Sequence, residues 1–379
     1  MKLAIYVVLW FTNMCLGVAG LRNKILSIST YLLLAILFVS NNGELGDAKV
    51  YKTHFEKQLV DGAFEKGYSF LERTVYHLGQ HSYTALLGAL LLIVIVFLLA
   101  FFKDLQCSHH VIIATIMPFI FPTYCTATRF FVASVIALLA IKNLMRKKPV
   151  AFLLLIILAI SFHNMSIFYI LFYFCSTDKM NMIGSLKGAL FGIIGFFSFV
   201  SLLILYTSGR FIMMEVLAKT ASLFIPNIES KVEAYTTTSA HIGSLIFVCI
   251  YIIGFLAAYI LKSEIDAIPI DVHDDGNSII QLKALSKINL NINVLLSSIL
   301  PLIATSLVFY RYIIIGQVLT AVVFGEYINA KRRYSKVQGI TINVISIMIM
   351  LMCTVWFVPE FFGINDITIM GLFNASRFF

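Results

Sequence analysis

Charge is what this chain is short of. Asp, Glu, Lys and Arg make up 12% of its 379 residues, against 60% hydrophobic residues and a mean hydropathy of +0.93. A water-soluble globule, with about 25% charged residues, is excluded. Strict alternation of polar and apolar residues is missing too, which excludes a transmembrane β-barrel. The six cysteines contain no CxxC pair. They lie in or beside apolar runs and read as small packing residues, not as a disulfide or zinc framework. "CSHH" at Cys107–His110 is the one stretch that resembles metal ligands. Without a second cluster at ligand spacing, no metal site is expected. The net charge of +9 does not call for nucleic acid, because the basic residues sit at the edges of apolar runs.

What is present is a series of windows long enough to cross a bilayer core, which takes about 20 apolar residues per helix. Clear ones are Thr84–Phe102, Gly188–Tyr206, Ile242–Leu261, Ile288–Tyr310 and Val337–Val358. Softer ones lie at Leu3–Gly20, Ile25–Ser40, Val111–Thr128, Phe130–Ile141, Pro149–Phe174 and Tyr312–Gly325. The expected fold is an all-α polytopic membrane protein of about 11–12 transmembrane segments. It forms a single integral domain over residues 1–379. The first window reads as an uncleaved helix and not a signal peptide, given its weak basic start and the second span behind it.

Positive charge on short connectors orients the spans. "LRNK" (Leu21–Lys24), "KNLMRKK" (Lys142–Lys148) and "KRRYSK" (Lys331–Lys336) are basic and acid-poor, so all three are placed in the cytoplasm. Residues 41–83 and 207–241 then form outer loops, and 262–287 a cytoplasmic loop. Keeping "KRRYSK" inside requires an even number of crossings between Pro149 and Lys187. At about 1.5 Å per residue that stretch is too short for two full α-helical spans. A broken or re-entrant pair, turning near "SFHNMS" around His163, resolves the conflict. Such a break is tolerated only where protein or a watery cavity satisfies the freed backbone groups.

On this topology Arg129 opens a span at the outer face, Arg311 sits at an outer turn, and His163 lies in the outer half of the membrane. Charges in such places cost about 2.5–3.5 kcal/mol each at mid-helix, so they ask for a reason. Snorkelling to lipid phosphates, or a helix-break histidine bonded to a carbonyl, would be reasons enough. The sharper reading is that the arginines hold a phosphate-bearing lipid bidentately. His163 then acts as a general base, orients an acceptor hydroxyl or bonds a phosphate oxygen. Arg210 opens an amphipathic outer segment. The outer loops also carry carboxylates (Asp47, Glu65, Glu72) and aromatics (Tyr51, Phe55, Tyr68, Tyr235) suited to sugar contacts or to bracing the loop.

The block "TRFFVASVIALLAIKNLMRKKPVAFLLLIILAISFHNMSIFYILFYF" resembles the EpsG-type branch of the Wzy O-antigen and exopolysaccharide polymerases. An arginine opens a small-residue helix, a basic turn follows, and an apolar helix ends in alanine, a gap and Phe-His. Arg129, Lys142–Lys148, Ala159, Phe162, His163 and Ser166 occupy those places. Upstream, Asp47, Tyr51, Glu65, Gly67 and Tyr68 match the family's first outer loop. Downstream, Lys231, Tyr235, Arg311 and Tyr312 match more loosely. Phe130 stands where a polar residue is commoner, and Lys66 replaces a frequent proline.

The resemblance implies a GT-C-like, metal-independent, cofactor-free glycosyltransferase in the bacterial inner membrane, its active site facing the periplasm. Its substrate would be an oligosaccharide repeat unit on undecaprenyl diphosphate. Its partners would be membrane lipids, a chain-length co-polymerase and a flippase. Arg129, Arg311 and His163 would be catalytic. Arg210, Asp47, Tyr51, Glu65, Tyr68, Lys231 and Tyr235 would bind substrate. A lipid-linked oligosaccharide flippase and a membrane O-acyltransferase acting on surface glycan are the alternatives.

Overall fold

A computed structural model describes residues 2–57, 64–176, 187–206, 215, 219, 241–269, 276–305, 307–333, 346 and 348. The window at Val337–Val358 and the residues Arg210, Lys231 and Tyr235 lie outside this set, apart from 346 and 348.

Helices α1 (Lys2–Val18) and α2 (Lys24–Val39) form the first pair. Asn23 caps α2, its Oδ1 accepting from the Leu26 N–H at 3.0 Å, which satisfies a donor the helix start leaves free. The outer loop expected over 41–83 is itself helical. It holds α3 (Asp47–Lys57) and the amphipathic α4 (Lys66–His77) before the long apolar α5 (Tyr83–Phe102).

The next crossing is broken. Helix α6 (His109–Thr115) runs into a π turn (Ile116–Ile120) and then α7 (Phe121–Thr126). Pro118 and Pro122 remove two donors from the ladder, and the widened turn absorbs the loss. After Ala127, α8 (Thr128–Met145) begins. Its Ala133, Ser134, Ala137 and Ala140 are buried, so neighbouring backbones approach closely, as small residues permit in membrane helices.

Lys142 departs from its expected place in a solvated connector. It lies in the last turn of α8 and is 2% exposed. Its Nζ donates to the carbonyls of Ala100 at 2.9 Å and Phe101 at 2.6 Å, and to that of Lys103. A lysine thus closes the open C-terminal end of α5, where carbonyls lack partners and the helix dipole favours a cation.

Pro149 starts α9 (Pro149–Phe162), which stops at His163, an extended residue at φ −153°, ψ 110°. The chain continues as a 3₁₀ arm, Asn164–Ser176. The two pieces fold back on each other: Phe152, early in α9, meets Tyr173, late in the arm, with ring centroids 6.3 Å apart. Pro149–Ser176 is therefore a helical hairpin with His163 at its tip, broken where the charge count called for a kinked or re-entrant pair. At about 2.0 Å per residue the 3₁₀ arm reaches roughly 26 Å, against about 21 Å for the α-helical arm. The buried residues of the 3₁₀ arm, Ser166, Tyr169, Phe172 and Cys175, recur every third position. Asn291 ties down the far end, donating to the Cys175 carbonyl at 2.7 Å.

Beyond it come α10 (Lys187–Tyr206), α11 (His241–Asp266) and α12 (Gly276–Leu296). The expected loop over 262–287 is shorter than the sequence suggested, since α11 and α12 run into it from both sides. A broken stretch through α13 (Leu300–Thr305) leads to α14 (Arg311–Arg333), much of it enclosed by its neighbours. Among the described residues five helices are long and apolar enough to cross a membrane. Leu92, Val96, Leu154, Ile157, Ile167 and Leu171 are exposed on outward faces, as a lipid solvent allows.

Candidate active site

Three elements bring the site together: the N-terminal end of α8, the hairpin tip and the N-terminal end of α14. Helices α3 and α4, from the segment 41–83, pack beside them. The positioning begins with two glycines. Gly46 holds φ +51°, a left-handed conformation that lets "GELGD" turn sharply into α3 with Asp47 as its first residue. Gly67 sits against α9, where a Cβ would come within 2.8 Å of the Ser161 carbonyl oxygen. Only a glycine lets the start of α4 come that near to the hairpin tip.

Glu65 precedes α4 as its N-cap residue, yet its side chain makes no cap hydrogen bond. It turns outward instead. One oxygen pairs with Arg129 Nη1, and the other accepts from the Asn164 N–H at 2.9 Å. That N–H is a group freed by the break at His163, so the carboxylate both holds the arginine and satisfies the broken backbone.

Around Arg129 the aromatic residues form a cage. Its guanidinium carbon lies 4.7 Å from the Tyr51 ring centroid, 4.2 Å from Phe64 and 5.6 Å from Tyr68. Such faces attract a cation while excluding water. Arg311 is held by Asp47, Nη2 to Oδ2 at 2.7 Å. Each arginine spends one terminal nitrogen on a carboxylate, while Nε of each is buried without a hydrogen-bond partner among the described residues. A guanidinium has five donors; the unspent ones suit the oxygens of an anion.

His163 completes the group. The charges of Arg129 and Arg311 both act on it, and its ring meets Phe130 edge-on at 5.7 Å. Its Nδ1 accepts from the Met165 N–H at 3.2 Å. The Met165 carbonyl in turn accepts from the Tyr312 hydroxyl at 2.8 Å, which links the tip to the start of α14.

Behind the cage lies a second buried pair. Glu72 on α4 is 3% exposed, and its Oε2 is 3.2 Å from His54 Nδ1 on α3. Burial pushes the Glu72 carboxyl up to about 8, with the Arg129 charge pulling the other way. His54 packs on Phe64, centroids 4.4 Å apart, so the pair buttresses the same ring that faces Arg129.

Of the residues singled out in the sequence, Arg129, Arg311, His163, Asp47, Glu65, Tyr51 and Tyr68 are brought together. Tyr51 and Tyr68 are 2% and 0% exposed: in this geometry they brace Arg129 instead of offering open faces to a sugar. Phe64 and His54 belong to the site without any sequence motif to mark them. Phe64 was detectable only as the aromatic beside Glu65; nothing local marks His54. The "CSHH" histidines take up hydrogen bonds: His110 Nδ1 lies 2.7 Å from Asn13 Oδ1, and His109 Nδ1 3.2 Å from the Tyr31 hydroxyl. Among the described residues no three of His, Cys, Asp and Glu gather at ligand distance.

A family model described as the EpsG family matches residues 24–366. No curated protein gives a significant match, and no solved structure does.

Proposed function

The chain belongs to the EpsG family, and on that premise we propose that it polymerises lipid-diphosphate-linked oligosaccharide repeat units into a surface polysaccharide. The carrier in this reading is undecaprenyl diphosphate, and the site faces the periplasm of a bacterial inner membrane. The growing glycan leaves its lipid diphosphate and joins a hydroxyl of the incoming unit.

One observation carries the reading. Two arginines from separate helices converge on the tip of the His163 hairpin, each with a buried Nε donor that has no partner among the described residues. Charge builds on the departing diphosphate as the glycosidic bond breaks. Fixed cations in a site shielded from water stabilise that charge without reorganising. The cage of Tyr51, Phe64 and Tyr68 fixes Arg129, and Asp47 fixes Arg311. The reading assigns Arg129 and Arg311 to the diphosphate and His163 to the reacting oxygens. Glu65, Tyr51 and Tyr68 are supports. A chain-length co-polymerase and a flippase belong to the same proposal, as do Arg210, Lys231 and Tyr235 as further substrate contacts.

The test is polymerisation by the full chain in proteoliposomes supplied with a lipid-diphosphate-linked repeat unit. The wild type yields a ladder, whereas Arg129→Ala and Arg311→Ala, inserted to normal levels, leave single units. Ladders of normal length from both variants would overturn the assignment.

A further inference from the structure

The tautomer of His163 decides which way its proton points. Nδ1 accepts from the Met165 N–H, so it carries no hydrogen, and the neutral ring holds its proton on Nε2. Nε2 has no partner among the described residues and is the ring atom left for substrate. An Nε2–H donates; it cannot take the acceptor's proton without first giving up its own. Swapping the tautomer would set two N–H groups against each other at Met165.

The proton therefore needs another destination. Three carboxylates surround the arginines. Both oxygens of Glu65 are engaged, by Arg129 and by the Asn164 N–H. Glu72 is 3% exposed and sits behind the cage with His54. Asp47 differs from both. Its Oδ2 is held by Arg311, its Oδ1 has no hydrogen-bond partner among the described residues, and its side chain is 43% exposed. It is fixed in orientation, has an open oxygen and can return a proton to water.

We propose that Asp47 is the general base of the transfer and that His163 serves as a hydrogen-bond donor through Nε2–H. The inference rests on the polymerase reading above. Asp47 Oδ1 takes the proton of the acceptor hydroxyl as its oxygen bonds to the anomeric carbon of the growing glycan. The bond from that carbon to the phosphate oxygen breaks, and its electron pair leaves on the lipid diphosphate. Arg129, Arg311 and the His163 Nε2–H receive the charge developing there. Asp47 then loses its proton to solvent.

The experiment uses the same proteoliposomes with Asp47→Asn, Asp47→Ala, His163→Gln and His163→Ala, measuring turnover and the KM for the lipid-linked unit. Asn keeps the size and the Arg311 contact of Asp47 but not its basicity. Gln keeps a donor near the place of Nε2 but cannot act as a base. The expected result is a loss of about 100-fold or more in kcat for Asp47→Asn with little change in KM, in the range general-base catalysis supplies. Small free carboxylates such as formate and acetate restore turnover to Asp47→Ala with a rate that rises with their basicity, a dependence that refilling the Arg311 ion pair alone would not produce. His163→Gln keeps at least ten times the rate of His163→Ala. A wild-type ladder with Asp47→Asn near full rate, or with His163→Gln as inactive as His163→Ala, overturns the assignment alone. No ladder from the wild type overturns the polymerase reading and this inference with it.

Discussion

Replacing Glu65 with alanine tests the most connected side chain of the site. The substitution removes two interactions at once: the ion pair with Arg129 and the bond from the Asn164 N–H at 2.9 Å. The pair is well shielded, with side chains 16% and 10% exposed. Removing one partner of such a pair costs about 3–5 kcal/mol. Leaving the Asn164 N–H without an acceptor adds about 1–3 kcal/mol if water cannot reach it. Asn164 is exposed, so the second figure is discounted, and the total expected is about 3–5 kcal/mol. Glu65→Gln keeps a carbonyl for one partner and turns an amide on the other, so it should cost roughly 1.5–3 kcal/mol. Reversible unfolding in detergent reads both values. Combining Glu65→Ala with Arg129→Ala gives the coupling, expected at about 2 kcal/mol or more because the two share one interaction. Effects that add to within about 0.5 kcal/mol would show that Glu65 does not hold Arg129, and the account of the hairpin tip would fall.

Gly67→Ala sets a Cβ against the Ser161 carbonyl; it should cost about 1–3 kcal/mol by overpacking and shorten the glycan ladder by moving Glu65. Lys142→Met keeps the buried stem but removes the donors to Ala100, Phe101 and Lys103, and an unfolding loss of about 2–4 kcal/mol is expected. Glu72 gives a pH test. Its folded-state pKa of about 8 lies above the ordinary 4.5, so the folded chain holds that proton more tightly than the unfolded one. The stabilisation is complete below 4.5 and is lost as pH rises through about 8. The unfolding midpoint of the wild type should therefore fall between pH 5 and 8.5 by more than that of Glu72→Gln; equal falls would refute the assignment.

Much of the architecture was legible because lipid imposes one rule along the whole chain. Apolar windows marked α1, α2, α5, α8 and α10 to within about four residues and the starts of α11 and α14 to within one, and counting basic connectors pointed to a break near His163. Arg129, His163 and Arg311 stood out because charge is rare here. Which supports they pair with did not. Glu65 meets Arg129 across 64 positions and Asn164 across 99, and Asp47 meets Arg311 across 264. No local pattern encodes such pairings. Lys142 was misplaced for a related reason: a basic cluster at a span's end looks solvated, and only the neighbouring helix end gives one member a buried role. The loop helices α3 and α4 are polar and short, so they resembled a solvated loop until their aromatic faces met Arg129.

The 3₁₀ arm makes the hairpin a ruler with a period of three. Ser166, Tyr169, Phe172 and Cys175 share one line only while each residue turns by a third of a circle. At about 100° per residue in an α-helix the same four would wind halfway round the axis. One inserted or deleted residue within Ile167–Phe174 would thus turn everything beyond it to the wrong face. Tolerance to substitution should rise and fall every third residue here, and every three to four in α9. A deep mutational scan of Pro149–Ser176 would display the change of beat at His163.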